Sequence, residues 1–132
     1  MSITPTQSQI QALVAGPQDE PVQMLNLLRF KERADGIDAG VSGLEAYERY
    51  GRATGPFLAA VGGRVLQAAE ARQMVIGPEA LEWDMVLLVE YPSRAKFLEM
   101  ATDPEYLKIH EHREAALADS RLIACATIPA AG

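Results

Sequence analysis

The sequence predicts an α+β fold on the ferredoxin-like βαββαβ plan: one antiparallel sheet with its helices on one face. The order of periodic segments is strand, helix, strand, strand, helices, strand. The segment Leu44, Tyr47, Tyr50, Gly51, Thr54, Leu58, Val61 repeats at three- and four-residue steps, the mark of an amphipathic helix. The run Trp83-Asp84-Met85-Val86-Leu87-Leu88-Val89-Glu90-Tyr91 is the strongest strand signal in the chain.

Residues 6–15 predict a short helix, with Ile10, Leu13 and Val14 at helical spacing and Gly16-Pro17 ending it. Val22–Phe30 is the first strand. Residues 31–42 hold two glycines, Gly36 and Gly40, and several charges and read as an exposed loop. Ser42 is placed to cap the helix that follows, and Pro56 should kink or divide it, because its ring clashes with the preceding turn. Gly62-Gly63 stops that helix. Residues 64–71, or as far as Ile76, form the second strand, and Gly77-Pro78 turns the chain. Residues 83–91 form the third strand, and Pro92-Ser93 opens a short helix to Met100. Asp103 caps a further helix, with Pro104 at its first position and Glu105 in its first turn. Residues 121–128 form the last strand.

A sheet with helices on one side and water on the other should alternate apolar and polar residues. These strands do not. Met24 and Leu28 fall on one face of the first strand, Leu25 and Leu27 on the other. In the third strand Trp83, Met85, Leu87, Val89 and Tyr91 oppose Asp84, Val86, Leu88 and Glu90, and both sets have apolar centres. Both faces then need a cover, and the chain has helices for one. The alternative is that the N-terminal helix folds across the second face, although ten residues cover little of a four-stranded sheet. An open apolar sheet face exceeds what a soluble monomer carries, so the pattern predicts a homodimer packed sheet to sheet.

The 132 residues fit one domain, an N-terminal extension over 1–20 and a core over 21–128. Hydrophobic residues make up 48% and charged residues 23%, a composition that argues against disorder. The net charge is −6 with no basic run, which argues against nucleic acid as a partner. No apolar run approaches the length of a membrane span, and the N-terminus lacks the pattern of a signal peptide. Cys125 stands alone, so no intrachain disulfide forms. These features predict a cytoplasmic protein.

Several motifs resemble one family. They are Pro21-Val22-Gln23-Met24-Leu25-Asn26-Leu27-Leu28-Arg29-Phe30, Tyr47-Glu48-Arg49-Tyr50-Gly51, Val61-Gly62-Gly63-Arg64-Val65-Leu66, Trp83-Asp84 with Tyr91-Pro92-Ser93-Arg94, Asp103-Pro104-Glu105-Tyr106, and His112-Arg113-Glu114-Ala115-Ala116. Together they resemble the domain of unknown function 1330 over about residues 21–128. The resemblance implies the dimeric α+β barrel fold. It carries no assigned reaction, so no catalytic residue is inherited. Proteins of that fold group include cofactor-free monooxygenases, muconolactone isomerase-like proteins, haem-dependent enzymes and small-molecule sensors, and fold does not fix function.

The segment His110-Glu111-His112-Arg113-Glu114 invites a metal reading that helical geometry disfavours. Residues two apart point about 200° away from each other, so His110 and His112 cannot share an ion from this helix. No metal or cofactor motif is predicted. The stripe Tyr106, His110, Arg113, Leu117 is expected to face the sheet. His110 is a candidate general base or acid, with Arg113 or Asn26 holding an oxyanion or carboxylate. Tyr47, Tyr50, Trp83, Asp84 and Tyr106 are candidate ligand contacts. The compound expected is small, anionic or aromatic. The alternatives are a binding or sensing module without chemistry, or a structural dimer in which the polar groups only tie helix to sheet.

Overall fold

The computed structural model describes residues 1–129. Its elements run α1 (Gln7–Ala15), β1 (Val22–Phe30), a short 3₁₀ turn (Gly36–Asp38), α2 (Gly43–Ala60), β2 (Arg64–Glu70), β3 (Met85–Tyr91), α3 (Arg94–Ala101), α4 (Pro104–Ala116) and β4 (Leu117–Cys125). The four strands form one sheet in the order β2-β3-β1-β4, antiparallel at every pairing. This is the expected ferredoxin-like arrangement, with β1 in the middle and α2 packed against α4.

Local chemistry explains the boundaries. Thr6 and Gln9 form a reciprocal capping box at α1. Ser42, Ser93 and Asp103 cap α2, α3 and α4, each accepting a hydrogen bond from a first-turn N–H. α2 runs through Pro56 as one helix, so Pro56 does not divide it in two. Pro56 and Arg52 are both exposed, so water can serve the Arg52 carbonyl that loses its helical donor. The last strand begins at Leu117 rather than residue 121. α4 passes straight into it because Leu117, 1% exposed, pairs with Phe30. The third strand starts at Met85 rather than Trp83, and the second ends at Glu70. Residues 31–42 are less exposed than predicted: Ala34 and Asp38 are buried.

Burial along β1 alternates strictly: Val22, Met24, Asn26 and Leu28 are buried toward the helices. Their partners in β3 are Tyr91, Val89, Leu87 and Met85. The apolar core falls into two clusters. Val22, Met24, Val61, Val89, Tyr91, Met100 and Tyr106 form one. Leu28, Ala34, Ala46, Tyr47, Ala116 and Leu117 form the other. Asn26 stands between them on β1, and Tyr50 packs against both.

On the opposite face Leu25, Leu27, Val86 and Leu88 are only half-buried, and Ile123 is 47% exposed. α1 does not cross this face. It packs on α3, with Leu13 against the first cluster and the Leu13 carbonyl accepting from Arg94 Nη1 at 3.4 Å. The chain ahead of α1 straps the start of β4. Ser2 N–H donates to Asp119 Oδ1 (2.8 Å), Ser120 Oγ donates to the Ser2 carbonyl (2.6 Å), and Arg113 Nη1 donates to the Ile3 carbonyl (2.8 Å).

Candidate functional site

α2, α4 and the end of β1 bring a run of rings together. Phe30 and Tyr47 lie 5.4 Å apart between centroids, Tyr47 and Tyr50 5.3 Å, Tyr50 and Tyr106 6.4 Å, and Tyr106 and His110 5.9 Å. The spacing follows from sequence: positions 47 and 50 share one face of α2, and 106 and 110 share one face of α4. The Tyr50 and Tyr106 hydroxyls are 2.6 Å apart. One of them donates to the other, which leaves one O–H proton free to donate elsewhere. Burial raises the pKa of both Tyr47 and Tyr106 above the ordinary value, and the Tyr50 hydroxyl adds to the effect, so both remain protonated.

His110 is half-buried, and its Nδ1–H donates to Glu114 Oε1 at 3.1 Å. Burial and the nearby Arg113 charge hold its pKa below the ordinary value, and Glu114 opposes them. A neutral ring with Nδ1 protonated carries its lone pair on Nε2, the arrangement of a general base oriented by a carboxylate. Arg113 is buried and already committed, to the Ile3 carbonyl and, at 3.5 Å, to Ser120 Oγ. It acts on the cluster through its charge. Asn26 spends its amide N–H groups on the Met24 and Leu87 carbonyls, both at 3.3 Å. Thr54, one turn beyond Tyr50 on α2, has a buried hydroxyl with no hydrogen-bond partner among the described residues.

Of the residues singled out from sequence, Tyr47, Tyr50, Tyr106, His110 and Arg113 therefore come together. Trp83 and Asp84 do not join them. Because β3 starts only at Met85, Trp83 leaves the alternation expected of it. The Arg121 guanidinium lies 5.3 Å from its ring centroid, and Arg121 pairs with Leu27 on the helix-free face. Asp84 is exposed and accepts from the Phe30 N–H at 2.8 Å, closing the end of β1.

A second polar group escaped the sequence reading. Asp38, 1% exposed, accepts from His112 Nδ1 at 2.7 Å and from Arg49 Nη1 at 2.8 Å. Burial alone would raise its pKa; the hydrogen bonds from His112 and Arg49 outweigh this and hold it below the ordinary value. His110 and His112 thus serve different partners on different sides of α4. Among the described residues, no group of three or more His, Cys, Asp or Glu is placed to hold a metal ion. No described helix is long and apolar enough to cross a membrane.

The family model described as "Domain of unknown function (DUF1330)" matches residues 38–126. No curated protein matches the chain. Among solved structures, the RPA0582 protein of unknown function from Rhodopseudomonas palustris is 41% identical, with 97% of this chain and 98% of that chain covered and a TM-score of 0.90. SnoaB from Streptomyces nogalater, a cofactor-independent oxygenase, is 14% identical over 84% of this chain and 96% of its own, with a TM-score of 0.56. A dimeric protein of unknown function with a ferredoxin-like fold from Bacteroides fragilis is 13% identical over 83% of this chain and 98% of its own, with a TM-score of 0.51. At these last two identities the likeness is one of fold.

Proposed function

The chain belongs to the DUF1330 family, and on that footing we propose that it is a cofactor-independent enzyme that takes a proton from carbon in a small anionic or aromatic compound. The observation that carries this reading is the His110 imidazole. It is kept neutral by burial and by Arg113, is oriented through Nδ1 by Glu114, and lies edge-on to Tyr106. Its Nε2 accepts the proton, and the electron pair moves to the substrate carbonyl oxygen. The free proton of the Tyr50–Tyr106 hydroxyl pair donates to that oxygen, and the Arg113 charge lowers the cost of the anion. Isomerisation and cofactor-free oxygenation both begin with such a carbanion, and SnoaB, of similar fold, is a cofactor-independent oxygenase.

A non-catalytic binding module is the second reading. It is favoured by Arg113, whose hydrogen bonds go to the protein's own Ile3 and Ser120 rather than outward. We place two copies face to face through the sheet, since Leu25, Leu27, Val86 and Leu88 have no helix over them and a protein of similar fold is dimeric. A cytoplasmic setting fits the single cysteine.

The two readings separate on phenylpyruvate, which has an acidic CH₂ beside its carbonyl. In D₂O the protein should speed loss of the CH₂ signal in the proton NMR spectrum, and His110→Asn should slow it by about 10²-fold or more while the far-UV circular dichroism is unchanged. Equal rates with the protein, with the variant and with buffer would remove the enzymatic reading.

A further inference from the structure

The strap before α1 forms one wall of an open surface concavity of about 430 Å³. Its lining includes Ile3, Thr4, Lys31, Glu114, Leu117 and Ala118. Most of this surface is apolar, and the side chains of Lys31 and Glu114 on it carry opposite charge. Glu114 is the carboxylate that orients His110, so the concavity adjoins the acid–base group of the proposed function.

Lys31 is fixed by its backbone. Its N–H donates to the Ala116 carbonyl (2.8 Å), and its carbonyl accepts from the Gly43 N–H (3.0 Å). A Cβ on Gly43 would collide with that same Lys31 carbonyl, so the approach requires glycine. The Lys31 ammonium donates to Asp35 Oδ2 (2.6 Å) and to the Glu114 carbonyl (3.3 Å). The Asp35 side chain is 67% exposed and the Lys31 side chain 28%, so water partly screens this pair and an incoming carboxylate competes with Asp35 for the ammonium.

We propose that this concavity binds a small carboxylate with an apolar body, the carboxylate on Lys31 Nζ and the body on Ile3 and Ala118. The inference rests on the enzymatic reading only for what happens next; binding itself does not require His110 to act.

The test uses phenylacetate, which cannot undergo the exchange described above, and its neutral isostere phenylacetamide, followed by ¹H–¹⁵N correlation spectra of the full chain. Phenylacetate should shift the amides of Ile3, Lys31 and Ala118 saturably. Phenylacetamide, and phenylacetate with Lys31→Met, should bind about tenfold more weakly or worse, while Lys31→Arg retains binding. Saturable shifts elsewhere, no shifts, or an unchanged affinity in Lys31→Met would overturn the assignment. Binding at Lys31 without His110-dependent exchange would leave the site standing and remove the enzyme. Exchange without shifts at Ile3, Lys31 and Ala118 would do the reverse.

Discussion

His112 holds Asp38 through a 2.7 Å hydrogen bond, and the two residues are 74 positions apart in the chain. With Arg49 on the other carboxylate oxygen, the contact pins the 3₁₀ turn to both α2 and α4. Asp38→Ala leaves two donors facing a vacated site and should cost about 2–3 kcal/mol in urea denaturation. The Asp38 pKa is depressed in the folded chain, so its contribution is present above the ordinary value of 3.8 and is lost as pH falls through the folded value. The variant should therefore lose less stability than the parent on acidification below about pH 4.

His110 makes a different pH signature. Its folded pKa lies below the ordinary 6.5, so the unfolded chain takes up the proton first. Stability should fall as the pH drops below about 6.5, until the folded ring protonates as well. Denaturation midpoints measured from pH 7.5 to 5 should show this slope, and it should be smaller in His110→Asn.

The Tyr50–Tyr106 pair should behave as one unit. Tyr50→Phe and Tyr106→Phe each remove the shared bond and should cost about 1 kcal/mol. The double variant should cost less than the sum, because the second change has no bond left to break. Additive losses in a double-mutant cycle would show that the 2.6 Å contact contributes nothing on its own.

Thr54 offers the opposite sign. Its buried hydroxyl has no partner among the described residues, and valine has nearly the same shape. Thr54→Val should raise stability by about 1 kcal/mol in the same denaturation assay. A loss instead would mean that the hydroxyl is engaged.

The helix-free sheet face gives the fifth prediction. Leu88 sits on β3 near the middle of that face, paired with Leu25. Light scattering behind size exclusion should find a dimer for the parent chain and a monomer for Leu88→Asp, since an isolated charge does not survive at a buried interface. A monomeric parent at micromolar concentration would end the dimer proposal.

The fold was readable because its signals are local. The 3.6-residue period of α2 and the uninterrupted apolar run of β3 need no knowledge of the rest of the chain. The misread boundaries depend on distant partners. Leu117 enters the strand because Phe30 is beside it, and Trp83 leaves the strand for Arg121. Five of the eight proposed site residues cluster because they lie on two helix faces. Asn26 lies on the correct strand face, but its hydrogen bonds go to carbonyls. Asp38 gives no signal in the sequence because the loop around it has no periodicity. The spacing of His112 relates it only to His110. The spacing argument that excludes a shared ion says nothing of a carboxylate 74 residues earlier.

The central place of β1 also sets a kinetic problem. β1 pairs on one side with β3, Gln23 opposite Glu90, and on the other with β4, Gln23 opposite Cys125. A growing chain therefore carries this apolar strand past Glu70 before its first neighbour, β3, exists, and past Ala116 before β4 does. Closing loops of this size precedes any gain from pairing them, which slows folding and lengthens the time that Met24, Leu25, Leu27 and Leu28 are exposed. Refolding yield should then depend steeply on protein concentration, and a chain truncated before Leu117 should aggregate rather than fold.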